Sequence, residues 1–308
     1  WENELSGGIP DEIYNLTDLI GLSIQDNQLT GELSNDVGNL TNLENLNLWG
    51  NQLTGEIPSE IGNLTSLTSL YLNDNNLTGS IPPEIGNLTN LHNFSLSDNQ
   101  LTGEIPEEIG NLTSLTRLYL YYNQLTGEIP LEIGNLINLE RITLGGNNLS
   151  GQIPESLYDL TNLIGLSLWG NDLIGHISDN ICQMTNLESL NLNDNKLMGS
   201  IPECICNLNL TWYRVYSSQN YNDSYIYGNE FCPPYPECLV NQEPFTDEND
   251  NGIWDGGEPF EDTNENGIYE KDYVGYQDIS ECTPCQLGEE GYTIIDGVCT
   301  LVCDEGLT

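Results

Sequence analysis

The stretch Leu43–Ser66 reads LENLNLWGNQLTGEIPSEIGNLTS, and it decides the fold because the same frame returns along most of the chain. Leu43, Leu46, Leu48 and Leu53 hold its first, fourth, sixth and eleventh places, and Asn51 holds the ninth. Asparagines in that ninth place recur every 24 residues, at Asn3, Asn27, Asn51, Asn75, Asn99, Asn123, Asn147, Asn171 and Asn195. From Asn27 to Asn195 the frame L-x-x-L-x-L-x-x-N-x-L is complete apart from Ile24, Phe94 and Ile142. One such unit cannot bury its own leucines; stacked units bury them against the equivalent leucines above and below. Each unit is then one coil of a solenoid. Its short strand pairs in parallel with the next at about 4.8 Å, so nine coils give a body roughly 45 Å long. The recurring asparagine has a backbone task, since its amide can satisfy carbonyl and N–H groups of adjacent coils where the strand turns.

A chain of 308 residues would ordinarily suggest two domains, but a repeat grows along one axis without enlarging a single core. The 48 acidic residues against 5 basic ones give a net charge of −43, which repels nucleic acid and anionic lipid and argues against both as partners. So much like charge points to a saline or calcium-containing medium. All nine cysteines lie from Cys182 onward, which implies an oxidising compartment, extracellular or at the cell surface. No apolar run reaches the length of a membrane span, so no direct membrane insertion is expected. The chain begins at Trp1 without a signal segment, as a mature protein or excised fragment would. The odd cysteine number predicts either a partner beyond Thr308 or one free thiol.

These repeats resemble the leucine-rich-repeat family, and Leu53–Pro58, Leu101–Pro106 and Leu125–Pro130, each L-T-G-x-I-P, resemble its plant-type subclass. The resemblance covers about residues 1–210. It implies a repeat solenoid, curved, with a parallel β-sheet on the concave face, a second short strand near I-P, and loose helical turns at I-G-N-L. Ser34 and Ser178 replace the proline and put only the local turn in question. Sequons such as Asn15-Leu16-Thr17 and Asn63-Leu64-Thr65 fit a glycan acceptor, yet Asn135-Leu136-Ile137 keeps the asparagine without the sequon, so a repeat position explains them better.

In that geometry the second, third, fifth, seventh and eighth places of each coil leave the concave face. The seventh reads Gln25, Trp49, Asn73, Ser97, Tyr121, Gly145, Trp169 and Asn193; the fifth includes Tyr71 and Tyr119. Arg117 and Arg141, two of five basic residues, fall on neighbouring coils, with Glu140 close by in sequence. Exposed aromatics beside arginine are common anchors of binding surfaces, with Gly145, Gly146 and Gly170 leaving room between them. The expected site is Trp49, Tyr71, His92, Arg117, Tyr119, Tyr121, Arg141 and Trp169, taking a carbohydrate or protein ligand. The competing account has the aromatics packing coil on coil and the arginines relieving acidic repulsion. Rows of glutamate, such as Glu60, Glu84, Glu108 and Glu132, fit a solvated flank.

After Leu210 the period breaks, although Tyr225–Phe231 reads as a degenerate last coil with Asn229 in the asparagine's place. The segment from Cys232 to Cys238, rejoined at Tyr273–Asp278, resembles C-terminal caps of secreted bacterial leucine-rich-repeat proteins. That resemblance implies disulfides Cys206 to Cys232 and Cys238 to Cys282, with Cys182, one coil below Cys206, as a competitor. The domains expected are a solenoid over 1–210, a cap over 211–240, an acidic double loop over 241–278 and a cysteine-rich tail over 279–308.

The double loop holds two 15-residue copies, from Glu243 and from Glu258, each containing D-x-N-x-N-G. In the first, Asp247, Asn249, Asn251, Ile253, Asp255 and Glu258 fall at places 1, 3, 5, 7, 9 and 12 of a calcium loop, with Gly252 at the sharp turn. The second offers Asp262, Asn264, Asn266, Ile268 and Glu270, but Tyr273 stands at the terminal place and Asp272 would have to substitute. Pro244 and Pro259 break the helices an EF-hand needs, so the loops resemble dockerin-type or thrombospondin-type loops and calcium is the expected cofactor. Cys282-x2-Cys285 and Cys299-x3-Cys303 have spacing that zinc accepts, but in a secreted chain disulfides fit better.

His92 and His176 are the only histidines and fall on different faces, and neither G-x-S-x-G nor H-E-x-x-H occurs. Recognition or adhesion without catalysis is the function expected. The alternative is a subunit of an extracellular filament or surface layer, since Trp1-Glu2-Asn3 starts inside a coil and a head-to-tail neighbour would cover that layer.

Overall fold

The computed structural model describes residues 3–210, 224–231, 236–239, 292–295 and 298–301. Strands Gly21–Ser23, Asn45–Asn47, Ser69–Tyr71, Asn93–Ser95, Arg117–Tyr119, Arg141–Thr143, Gly165–Ser167 and Ser189–Asn191 pair in chain order into one eight-stranded parallel sheet. The constant spacing leaves no slip: Leu22, Leu46, Leu70, Phe94, Leu118, Ile142, Leu166 and Leu190 are successive Cα partners. Because side chains alternate across a strand, this row points inward and its two neighbours outward. Phe94 and Ile142, the two departures from leucine in this row, are both wholly buried in the leucine's slot. Tyr225 bridges to Asn191 and continues the sheet after the longer connection.

Opposite this sheet the coils touch through shorter parallel pairs, Ser6–Gly7 with Gln28–Leu29 and Met198–Gly199 with Glu230–Phe231, and through single bridges such as Glu56 to Thr78. This is the second short strand near I-P. Between the two lie five-residue 3-10 turns such as Ser59–Asn63 and Glu107–Asn111, each entered from a proline whose fixed φ suits the turn. Ser34 and Ser178 keep the same turn without proline: their hydroxyls accept from the N–H groups of Asp36 and Asn180, both at 3.2 Å. One continuous core runs from Ile9 to Leu239.

The asparagine ladder does what its place in the frame predicts. Asn147 Nδ2 donates to the carbonyls of Leu144 at 2.9 Å and of Leu120, one coil back, at 3.0 Å. Its Oδ1 accepts from the N–H of Leu125 at 3.0 Å. Asn229 repeats the set with Ile226, Leu192 and Leu197, so Tyr225–Phe231 is a true last coil.

The cysteine pairing expected from the cap resemblance is corrected. Cys206 bonds Cys238 rather than Cys232, which also removes Cys238 from Cys282, and Cys182 bonds Cys204. The reason is the stacking of turns. A residue in the twentieth place of one coil lies against the residue 22 positions later: a Cβ on Gly62 would come within 2.7 Å of Glu84 Cβ. Cys182 and Cys204 have that separation of 22. Cys206 occupies the same twentieth place one coil on, and the turn Glu237–Leu239 brings Cys238 over it. Cys232, Cys282 and all the expected calcium ligands from Asp247 to Asp272 lie outside the described residues. Within the tail, Tyr292–Ile295 and Val298–Leu301 form an antiparallel hairpin.

Candidate ligand-binding face

The outward rows of the sheet are flat and mostly small or amidic until the coils from Leu115 to Asn171. There Arg117 and Arg141 are direct Cα partners, with Tyr119 and Thr143 paired beside them. Arg117 donates to Asn93 Oδ1 at 3.2 Å and meets Glu140 at 3.5 Å, with both members of that ion pair more than two-fifths exposed. An ion pair so exposed adds little stability. Arg141 leans over Gly165, where an added Cβ would lie 3.0 Å from its Nη1. Tyr119 stands close to both guanidiniums: burial raises its hydroxyl pKa, and Arg117 and Arg141 pull it back down.

Further along the same strands an aromatic rim spans three coils. Tyr121 and Tyr122 meet edge to face at 5.8 Å, and Tyr122 meets Trp169 at 5.1 Å with planes 75° apart. The Trp169 indole lies over Gly145, whose added Cβ would clash with Nε1, Cε2 and Cδ1 of the pyrrole ring, and its far edge reaches Gly146. The glycines expected to leave room between aromatics therefore seat one of them. Tyr121 also donates from its hydroxyl to Asp98, whose carboxyl pKa is raised by burial and by Asp74 and lowered by this bond.

Tyr122 is the residue that sequence reasoning passed over. Among the described residues the eighth place of each coil is left-handed, and apart from Tyr122 it holds aspartate or glycine: Asp26, Gly50, Asp74, Asp98, Gly146, Gly170, Asp194 and Gly228. Tyr122 adopts φ 51° there and is 54% exposed. A bulky side chain in that region costs roughly 1–2 kcal/mol relative to glycine. Its signal was a tyrosine where the repeat otherwise asks for Asp or Gly.

Of the eight residues expected at the site, Arg117, Tyr119, Tyr121, Arg141 and Trp169 come together. Tyr71 sits two strands from Tyr119, with Ser95 between them. Trp49 lies three coils from Tyr121. His92 is exposed on the adjoining coil, and its Nδ1 pairs with the Asn90 carbonyl at 2.8 Å. The packing account has direct support, since Trp169 packs across coils and Arg117 meets Glu140, while the cluster remains partly open to solvent. Among the described residues no group of three His, Cys, Asp or Glu side chains could hold a metal.

A second regular surface runs along the turns. Asn39, Asn63, Asn87, Asn111 and Asn135 form one exposed row, and Thr17, Thr41, Thr65, Thr89 and Thr113 another. From Thr41 to Asn135 these rows, with the glycines between them and Ile137 at one end, line a shallow uncharged groove.

A leucine-rich repeat region model matches residues 7–124, a model of two leucine rich repeat copies matches residues 113–159, and a single leucine rich repeat matches residues 186–208. No curated protein matches the chain. Among solved structures, the Arabidopsis receptor kinase HAESA in complex with the peptide hormone IDA and a co-receptor is 35% identical, with a TM-score of 0.72 over 78% of this chain and 38% of that one. A TDR receptor is 36% identical, with a TM-score of 0.70 over 76% of this chain and 39% of that one. A plant ice-binding protein is 30% identical, with a TM-score of 0.64 over 75% of this chain and 71% of that one. The chain thus spans about two fifths of the length of the receptors it matches.

Proposed function

The chain belongs to the leucine-rich-repeat family, and on that premise we propose that it is an extracellular, non-catalytic recognition module whose sheet face binds an extended ligand. One observation carries this reading: the register puts Arg117 and Arg141 side by side, in a chain with only five basic residues, within reach of Tyr119 and an aromatic rim. A ligand lying across the strands gains charge-assisted hydrogen bonds at one side and aromatic contact at the other. The likeness to HAESA, solved with a peptide hormone, supports a ligand on such a solenoid, and disulfides support an oxidising compartment. The test is a panel of peptides and glycans screened on the immobilised full chain, followed by the double variant Arg117→Ala/Tyr121→Ala. Loss of the strongest hit's affinity by at least about thirtyfold fits two anchors of roughly 1 kcal/mol or more each; unchanged affinity removes this face as the site.

The acidic insertion is proposed to bind two calcium ions, one through Asp247, Asn249, Asn251, Ile253, Asp255 and Glu258, the other through Asp262, Asn264, Asn266, Ile268, Glu270 and Asp272. The support is the alternation of oxygen ligands around Gly252 and Gly267.

A second reading is an ice-binding surface, favoured by the likeness to a plant ice-binding protein and by the Asn and Thr rows along the turns. Coils about 4.8 Å apart repeat hydroxyl and methyl groups at nearly the oxygen spacing along one axis of ice. Thermal hysteresis that vanishes in Thr65→Tyr/Thr89→Tyr would favour it, and wild-type protein without hysteresis or recrystallisation inhibition removes it.

A further inference from the structure

The strained Tyr122 is the feature that the fold least requires. Every other coil among the described residues fills its place with aspartate or glycine, residues that accept the left-handed backbone, and the two that follow Tyr122 are Gly146 and Gly170. Its ring gains no burial in return, being 54% exposed. What it does gain is a fixed position at the edge of Trp169, 5.1 Å away and nearly perpendicular. The indole is backed on its inner face by the bare backbone of Gly145. The result is an aromatic corner, with the indole as floor and the Tyr122 ring as wall, held rigid by the solenoid.

Taken with the recognition reading above, on which it rests, the geometry points to a sugar ring as the ligand of this corner, within a glycan that carries occasional carboxylates. A flat indole with no pocket beneath it suits the flat C–H face of a pyranose, whereas a peptide side chain gains most from a cavity that encloses it. Around the corner the partly exposed outward residues are the hydroxyls of Thr143 and Ser167, which pair with sugar hydroxyls without desolvating a charge. The guanidiniums of Arg117 and Arg141 then lie four residues back along the strands. At about 3.3 Å per residue that is roughly 13 Å, so the carboxylate they meet belongs to a sugar two or three units from the stacked one. The net charge of −43 sets an upper limit on ligand charge. A polymer with a carboxylate on every sugar is repelled by the rest of the surface, and one that alternates acidic with neutral sugars satisfies the arginine pair at less cost.

The experiment titrates the full chain with a hyaluronate decasaccharide, in which uronate and neutral sugars alternate, and follows binding by calorimetry and tryptophan fluorescence. Polygalacturonate, a neutral dextran oligomer and poly-glutamate serve as comparison probes. Tyr122→Gly is the informative variant, because glycine relieves the backbone and the fold keeps or gains thermal stability. The expected result is hyaluronate preferred over all three comparisons, at least tenfold weaker binding in Tyr122→Gly, and loss of the preference over dextran in Arg117→Gln/Arg141→Gln. Hyaluronate affinity unchanged in Tyr122→Gly overturns the proposal, as does no hyaluronate binding by the wild type. Poly-glutamate binding that depends on the arginines and ignores Tyr122→Gly also overturns it, while leaving the sheet face as a recognition site. If no probe responds to any of these substitutions, the site reading falls with it.

Discussion

The hydroxyl of Tyr158 accepts a hydrogen bond from the backbone N–H of Ser178, at 3.4 Å. Ser178 stands where most coils carry proline, which has no N–H, and Tyr158 stands where five coils carry glycine, from Gly38 to Gly134. Tyr14 has the same relation to Ser34, whose N–H lowers a hydroxyl pKa otherwise raised by burial, although there the hydroxyl falls outside hydrogen-bonding geometry. Loss of the proline and gain of the tyrosine thus occur together, one coil apart. Tyr158→Phe leaves a buried N–H without a partner and should destabilise the fold by roughly 1–2 kcal/mol in urea titration. Ser178 already has φ −67°, so Ser178→Pro suits the backbone and should recover part of that loss in the Tyr158→Phe background. A double variant no more stable than Tyr158→Phe would show that the N–H is not the cause.

The same tyrosine predicts an alkaline weakness. Burial pushes its pKa from 10.0 up to about 12, with the Ser178 N–H acting the other way and Glu155 adding to the rise. The folded state therefore holds the neutral phenol after the unfolded chain has begun to ionise. Its contribution is whole below pH 10, falls between pH 10 and 12, and is gone above, a change of roughly 2–3 kcal/mol. Unfolding midpoints measured across that window should fall more steeply for the wild type than for Tyr158→Phe, and parallel curves would contradict the assignment.

The ladder asparagines should be the most sensitive polar positions in the solenoid. Asn147→Ala orphans the buried N–H of Leu125 and leaves the carbonyls of Leu120 and Leu144 with one amide donor each, Asn123 and Asn171, both at 3.2 Å. At 1–3 kcal/mol for the orphaned N–H, with a donor lost at each of two carbonyls besides, the cost is roughly 2–4 kcal/mol. Coils hold one another only through neighbours, so the damage should be local: amide exchange accelerates around residues 120–150 before the first coils respond. Uniform acceleration along the chain would mean that the solenoid unfolds as one unit.

Coil length, register, core leucines and the asparagine's bonds were all legible in the sequence, because each follows from one period and each is checked at every repeat. The Cys182–Cys204 pair was legible in principle, through the offset of 22 that relates Gly62 to Glu84, but that offset appears only once the turns are stacked. The candidate face was half legible. Periodicity places Arg117 beside Arg141, yet it cannot say that Trp169 lies down over Gly145 rather than standing into solvent. Tyr122 was hidden by its ordinariness as a tyrosine next to a tyrosine; its mark in the sequence is a place otherwise held by aspartate or glycine, and its positive φ gives that mark a meaning.

The bond from Cys206 to Cys238 closes a loop with a separation of 32 and fastens the last turn over the exposed end of the core. Loop-closure entropy assigns such a bond roughly 3–4 kcal/mol. Cys206→Ser/Cys238→Ser should therefore open the last coil first, with loss of amide protection at Leu190, Ile226 and Phe231 while Leu46 and Leu70 stay protected. The Cys182–Cys204 pair, one coil further in, should hold that fraying short of Leu166. Exchange that spreads to Leu118 in the double variant would show that this end does not act as a separate cap.

Calcium removal tests the acidic insertion on its own terms. Calorimetric titration of chelator-treated protein should find two sites, the one at Asp247 the tighter, because Glu258 supplies its terminal carboxylate while Tyr273 holds that place in the other copy. Glu258→Gln should weaken the tighter site at least about tenfold and leave the second near its original affinity, since a missing bidentate carboxylate costs on the order of 1–3 kcal/mol. With calcium absent, carboxylates packed into this short stretch repel one another, and protease should cut between residues 243 and 272 before it enters the solenoid. Equal cleavage with and without calcium, or titration heats that Asp247→Ala leaves intact, would dismiss the metal and leave the segment a solvated acidic linker.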